Sequence, residues 1–189
     1  MLHIPLCEGI AVSPLNRRPG QVLQPPVTLL GCCDVARKIA TNTVVSRDEL
    51  IEFIKVRHHA IVITTRNDGG PQASPVTCGV DDEGRIVIAT YPERAKTRNA
   101  RRHPEQVSVM FLSDDFGGPW VQVDGTAEVL DIPEAVEALV DYYRSISGEH
   151  PDWAEYREAM VKQGKSLLRV TPVRWSPIAT GGFPARLAD

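Results

Sequence analysis

The sequence predicts a mainly β domain with α decoration, built on a six-stranded antiparallel barrel. Three observations predict it. Short runs rich in β-branched residues recur between turn signals. The first three runs follow one another too closely for crossover helices, which excludes a βαβ arrangement. Helical periodicity appears only ahead of the first run and after the third and fifth. With 189 residues, 42% hydrophobic and 24% charged, the chain can bury one proper core.

Taken in order, folding is expected to begin near Ser46. Ser46 and Glu49 form a capping-box pattern, and Leu50, Phe53 and Ile54 repeat on one helical face. His59 to Arg66 reads as the first strand and stops at Asn67-Asp68-Gly69-Gly70, a hairpin signal. Pro71 to Val80 is the second strand, and Arg85 to Tyr91 the third. Pro71 and Pro75 lack N–H donors, so the second strand belongs at an edge or beside a ligand groove. Thr90 and Glu93 suggest a second capping box, opening a short basic helix that must end before Pro104. Gln106 to Ser113 is the fourth strand, and Trp120 to Leu130, after the Gly117-Gly118-Pro119 turn, the fifth. Asp131 and Glu134 suggest a third cap. The helix behind it presents Val136, Leu139, Val140 and Tyr143, and a further helix carries Trp153, Tyr156 and Met160 and stops at Gly164. Ser166 to Trp175 is the sixth strand. There is no internal repeat.

Residues 1–42 have no sustained period and carry five prolines, so they are expected to be a poorly ordered extension ahead of a domain spanning 43–189. Leu29-Leu30-Gly31-Cys32 loosely matches a lipoprotein cleavage box. Gln24, Pro25 and Pro26 interrupt the apolar stretch before it, which is wrong for a signal peptide. No apolar run reaches the roughly 18 residues of a membrane span. Of the four cysteines, Cys7, Cys32 and Cys33 fall in the extension and Cys78 in the domain. No zinc spacing is present, and the expectation is a reduced, cytoplasmic protein without a metal site. Adjacent His58 and His59 have no partner at ligand spacing and read as capping or surface residues.

The sharpest chemical feature is Glu93 to Arg102, where Arg94, Lys96, Arg98, Arg101 and Arg102 oppose one acid. The segment carries +4 in a chain of net charge −3, leaving −7 elsewhere. Like charges one helical turn apart, as in Arg94 and Arg98, repel, and an anion relieves that repulsion. A helix N-terminus adds N–H donors and a positive dipole end, while Arg matches phosphate in bidentate geometry. The alternative reading is a solvated basic face. Nucleic acid fits poorly, since no aromatics interleave the patch and the net charge is negative. On the second strand, Gln72, Ser74 and Val76 share one face, and they could meet a planar heterocycle. Trp120, beside a Gly-Gly-Pro turn, could border its ring. No P-loop, dinucleotide glycine motif or nucleophile elbow is present.

The string Pro92-Glu93-Arg94-Ala95-Lys96-Thr97-Arg98-Asn99 resembles the cofactor-binding segment of pyridoxamine 5'-phosphate oxidase-like split barrels. With Pro71 to Ser74 and the stretch Tyr142 to Trp153, it resembles more narrowly the actinobacterial proteins that use the deazaflavin coenzyme F420. The resemblance runs from about Ser46 to Thr180. It implies a split barrel forming a homodimer, with a cofactor groove at each end of the interface. It further implies that Arg94 and Lys96 bind the cofactor's phosphate or anionic tail, with Thr97, Arg98 and Asn99 completing that contact. Gln72, Ser74 and Val76 would lie along the ring system and Trp120 would border it. Arg157 and Lys165 would reach the tail from the partner subunit. Pro75 stands where similar proteins often carry a side-chain donor. The implied chemistry is hydride transfer between F420 and a small unsaturated organic substrate. The alternatives are an FMN-binding oxidase or reductase of the same fold, and a non-catalytic F420 carrier or sensor.

Overall fold

A computed structural model describes residues 38–187. The order of elements is β1 (Asn42–Thr43), α1 (Arg47–Lys55), β2 (His59–Thr65), β3 (Pro71–Thr77), β4 (Gly79–Val80), β5 (Ile86–Thr90), α2 (Ala95–Arg102), β6 (Val107–Phe111), β7 (Val121–Asp131), α3 (Ala135–Ser147), α4 (Trp153–Gln163), β8 (Ser166–Trp175) and β9 (Ile178–Ala179). β2 to β8 form one antiparallel sheet in the order β3-β2-β6-β7-β8-β5-β4. The fold is the expected antiparallel split barrel with helical decoration, with one change of count. The expected strand Pro71–Val80 divides at Cys78, so the sheet has seven strands rather than six.

That division closes the barrel. β3 and β4 lie at opposite edges of the sheet, yet one residue joins them. Residues two apart along a chain are at most about 7 Å apart, so the edges must meet at Cys78. Beyond it they diverge, and β3 and β5 face each other across a split. The interior fills with the inward sides of alternating strands, including Val62, Val109, Phe111, Val123 and Ile88, all at 0% exposure. α1 covers one end through Leu50 and Ile54. Its capping box forms as expected: Ser46 N donates to Glu49 Oε2 at 2.7 Å, and Glu49 N donates to Ser46 Oγ at 3.4 Å. β5 is nearly continuous in burial because its other face, at Val87 and Ala89, packs under α3 and α4 with Leu139, Tyr142, Met160 and Leu167.

Two expected caps do not form. Thr90 is buried in β5, where its hydroxyl lies 3.0 Å from Thr97 Oγ1, and the N-cap of α2 is Arg94. Asp131 ends β7 and accepts a bond from Ser166 Oγ at 2.6 Å, leaving Glu134 as the N-cap of α3. The buried face of α3 runs through Ala135, Leu139, Val140 and Tyr142 rather than Tyr143. Tyr143 instead joins His150, Trp153 and Tyr156, whose rings all lie 5.1–5.9 Å apart. Gly125 is required at the β7 bulge, since an added Cβ would overlap the Thr171 carbonyl of β8.

Residues 38–42, assigned to the extension by their sequence, take part in the fold. β1 pairs with β9, Ala40 N donates to Phe183 O at 2.9 Å, and Thr180 N donates to Thr41 O at 3.1 Å. The rest of the expected extension, with Cys7, Cys32 and Cys33, lies outside the described residues. Among the described residues, no helix is long and apolar enough to cross a membrane.

Candidate functional site

The split between β3 and β5 is a groove, and its chemistry follows from the ladder. Arg66 N bonds Gly70 O at 2.9 Å and Cys78 N bonds His58 O at 3.0 Å. Alternation then turns the backbone of Gln72, Ser74 and Val76 towards β2, and that of Pro71, Ala73, Pro75 and Thr77 outward. Both prolines therefore occupy positions where the ladder needs no donor, as expected of an edge strand. Two connected hollows of about 410 and 440 Å³ run along this split and share Ala89, Lys96 and Lys165.

At the open end stand the cations. α2 begins where β5 leaves the sheet, so Arg94 and Lys96 project from the first turn beside Ser74. Lys165 arrives from the other side. Gly164, in the left-handed region at φ 60°, ends α4 and turns the chain so that Lys165 N still bonds Met160 O at 3.2 Å. Among the described residues, Arg94, Lys96, Arg98 and Lys165 have no carboxylate within 4.0 Å. The later cations of the same helix are engaged: Arg101 pairs with Asp131, and Arg102 donates to Asn99 Oδ1 at 3.2 Å. Burial first, then Arg94 and Lys165, hold the Lys96 ammonium below the ordinary lysine pKa of 10.5. Positive charge has been gathered here against its own repulsion.

The floor and far wall are neutral. Tyr142, Tyr156, Met160 and Gln163 come from α3 and α4, and Val76 from β3. Tyr142 donates to Thr77 O at 3.1 Å, and burial pushes its phenol up to about 12. Tyr156 donates to Leu139 O at 3.1 Å, and burial raises its pKa as well. Among the described residues, no carboxylate or imidazole lines the two hollows.

Several of the sequence-selected residues act behind the surface of the groove. Asn99 Nδ2 donates to Thr64 Oγ1 at 3.1 Å, Thr64 Oγ1 donates to Gln72 Oε1 at 3.1 Å, and Gln72 Nε2 donates to Ser74 Oγ at 2.6 Å. The polarity of this relay leaves the Ser74 hydroxyl hydrogen free to point into the groove, as a donor to whatever lies there. Thr97 is fully buried against Thr90, so its side chain does not reach the groove. Arg98 is exposed one turn beyond Arg94. Trp120 and Arg157 are not brought to the groove of the same chain. Trp120 bonds Ala179 at the opposite end of β7 from Asp131, and Arg157 holds Glu137 through two bonds of 2.7 and 2.8 Å.

Sequence reading missed Tyr91, Tyr142 and Gln163 as lining residues. Gln163 had a signal, because Trp153, Tyr156, Met160 and Gln163 continue one helical stripe. Tyr91 and Tyr142 had none beyond their neighbours.

Residues 46–179 match the pyridoxamine 5'-phosphate oxidase family. Solved structures share the fold. A conserved hypothetical protein from Mycobacterium tuberculosis is 24% identical, with 75% of this chain and 89% of that one covered and a TM-score of 0.61. An F420 reductase is 20% identical over 66% of this chain and 94% of its own, with a TM-score of 0.51. A FAD-binding protein from Mesorhizobium loti is 15% identical over 76% and 98%, with a TM-score of 0.52. At such identities the likeness concerns the fold, whereas the family match spans most of the described residues. The chain belongs to the pyridoxamine 5'-phosphate oxidase family.

Proposed function

We propose that the protein is an F420-dependent oxidoreductase that passes a hydride between the deazaflavin and a small unsaturated organic substrate. One observation carries this reading: among the described residues, Arg94, Lys96 and Lys165 cluster without carboxylate partners at the mouth of a neutral, tyrosine-walled groove, and Arg98 is exposed one turn farther along α2. A single phosphate monoester offers at most two negative charges, while three unpaired cations suit a ligand with a longer anionic tail. The F420 reductase among the structural neighbours supports the same choice, and the FAD-binding neighbour keeps a flavin in the test.

The residues fit such an occupant. Arg94 and Lys96 would hold the phosphate, with the free N–H groups of the α2 N-terminus behind them. Ser74 would donate to a heteroatom of the ring system, and Val76 would give it an apolar face. When bound, the cofactor supplies the hydride chemistry, and the protein orients it and excludes water. The reading includes a homodimer, in which Arg157 and Trp120 could serve only the partner's groove.

Fluorescence quenching with F420 and with FMN tests the assignment. Micromolar F420 binding, followed by oxidation of reduced F420 by a panel of enones and quinones, is the expected result. Tight FMN binding with no F420 binding would assign the groove to a flavin instead.

A further inference from the structure

We propose that Tyr91 is a positioning residue, whose ring holds Lys165 inside the anion-binding cluster while the groove awaits its ligand. The inference rests on the cofactor reading for its consequence, but not for its geometry. Tyr91 is the first residue after β5, four positions ahead of α2. Its ring lies 4.0 Å from Lys165 Nζ and 5.8 Å from the Arg94 guanidinium carbon. Its hydroxyl donates to Gln163 Oε1 at 3.2 Å, which ties the ring to the end of α4.

Lys165 needs such a holder. It sits on a flexible four-carbon stem, it has no carboxylate partner among the described residues, and Lys96 and Arg94 repel it. The repulsion between these groups is part of what lowers Lys96. Left to charge alone, the ammonium would swing into solvent, and an arriving anion would have to order it again. A π face attracts a cation without neutralising it. Tyr91 therefore keeps Lys165 in place yet leaves its charge available, which a carboxylate in the same position would not. The Gly164 turn fixes the backbone from which Lys165 starts, and Gln163 fixes the ring, so both ends of the contact come from one helix terminus.

Two measurements test this on the full-length protein. In the free protein, the Lys165 ε-methylene protons should resonate upfield of an exposed lysine because of the Tyr91 ring current. Tyr91→Phe should keep that shift and Tyr91→Leu should abolish it. An unshifted Lys165 in the unsubstituted protein would overturn the proposal, whatever the cofactor is. In titrations, Tyr91→Leu should weaken FMN and F420 about 3- to 30-fold, the span of one cation–π contact, and leave riboflavin, which lacks the phosphate, unchanged. Lys165→Met, which removes the cation itself, should lose at least as much, and the double variant no more than Lys165→Met alone. Equal losses for riboflavin and FMN, or additive losses in the double variant, would show that Tyr91 touches the ring system rather than acting through Lys165. If the unsubstituted protein binds neither FMN nor F420, the cofactor reading fails, and the proton shifts alone decide the role of Tyr91. Should Tyr91→Leu fold poorly, the Lys165 proton shift in the unsubstituted protein still decides the contact.

Discussion

Two recesses meet at Tyr142, and only one of them asks for a ligand. The first, of about 420 Å³, opens between the β4–β5 turn and α3. Its lining balances Lys55, Arg85, Arg144 and Arg169 against Asp81, Asp82, Glu83 and Asp141, and most of these pair: Asp81 and Glu83 each meet Arg85 at 2.7 Å, Asp141 meets Arg144 at 3.0 Å, and Arg169 meets Glu128 at 3.1 Å. The second is the groove, with its hollows of about 410 and 440 Å³, where among the described residues Arg94, Lys96 and Lys165 meet no carboxylate. Charge balance separates the two, because a folded protein has no reason of its own to hold cations together against repulsion.

Substitutions can break this contrast. Lys96→Ala should weaken the anionic cofactor by about 1.5–3 kcal/mol, the range for a lost charged hydrogen bond, without lowering the melting temperature. Quenching titrations and a thermal melt read the two halves of that statement, and unchanged affinity would move the phosphate elsewhere. Arg85→Ala should do the reverse. It removes the hub of the balanced hollow, so stability should fall by about 1–2 kcal/mol in a denaturant titration while cofactor affinity holds. A loss of affinity there would mean the two hollows are not independent.

Alkaline pH sharpens the contrast further. The free protein has a lowered Lys96 pKa, and a bound anion raises it again, so binding takes up a proton between those two values. Affinity should be level at neutral pH and fall as pH rises through the free-state value, starting below the ordinary 10.5. Lys96→Arg should flatten that fall, since guanidinium stays charged. For stability alone the sign is opposite. The charged form is disfavoured in the fold, so raising pH through the same window relieves the strain. The smallest expected effect is that of Tyr142→Phe in the shared wall. Loss of its bond to Thr77 O should cost about 0.5–1.5 kcal/mol of stability and little affinity.

Most of the fold was legible because the strands alternate and the turns carry their own chemistry. Ser166–Trp175 and the Ser46 capping box follow directly from period and spacing. The break at Cys78 was not legible. Nothing in Val76-Thr77-Cys78-Gly79 marks that its two halves belong to opposite edges of a sheet, since that is decided by β2 and β5. The same limit applies to the site. The cationic run is local, so Arg94 and Lys96 could be chosen from the sequence. The family resemblance named Lys165 but for the partner's groove, whereas it lines the groove of its own chain; Tyr91 and Tyr142 came from the structure alone, because their neighbours in space are distant in the chain. Thr97 and Asn99 show the converse. The family resemblance implied ligand contact for both, but helical geometry turns both inward, beside Ala100.

The one-residue link at Cys78 sets the taper of the groove. A seam fastened at one end is narrowest there, like a book held part-open at its spine. Thr77 and Ala89 lie near the spine, while Ser74 and the Arg94 turn stand where the pages part. A ligand in the groove therefore meets a crease at its inner end and an open mouth at its outer one. Tolerance for length belongs at the charged tail, and discrimination of shape belongs at the crease.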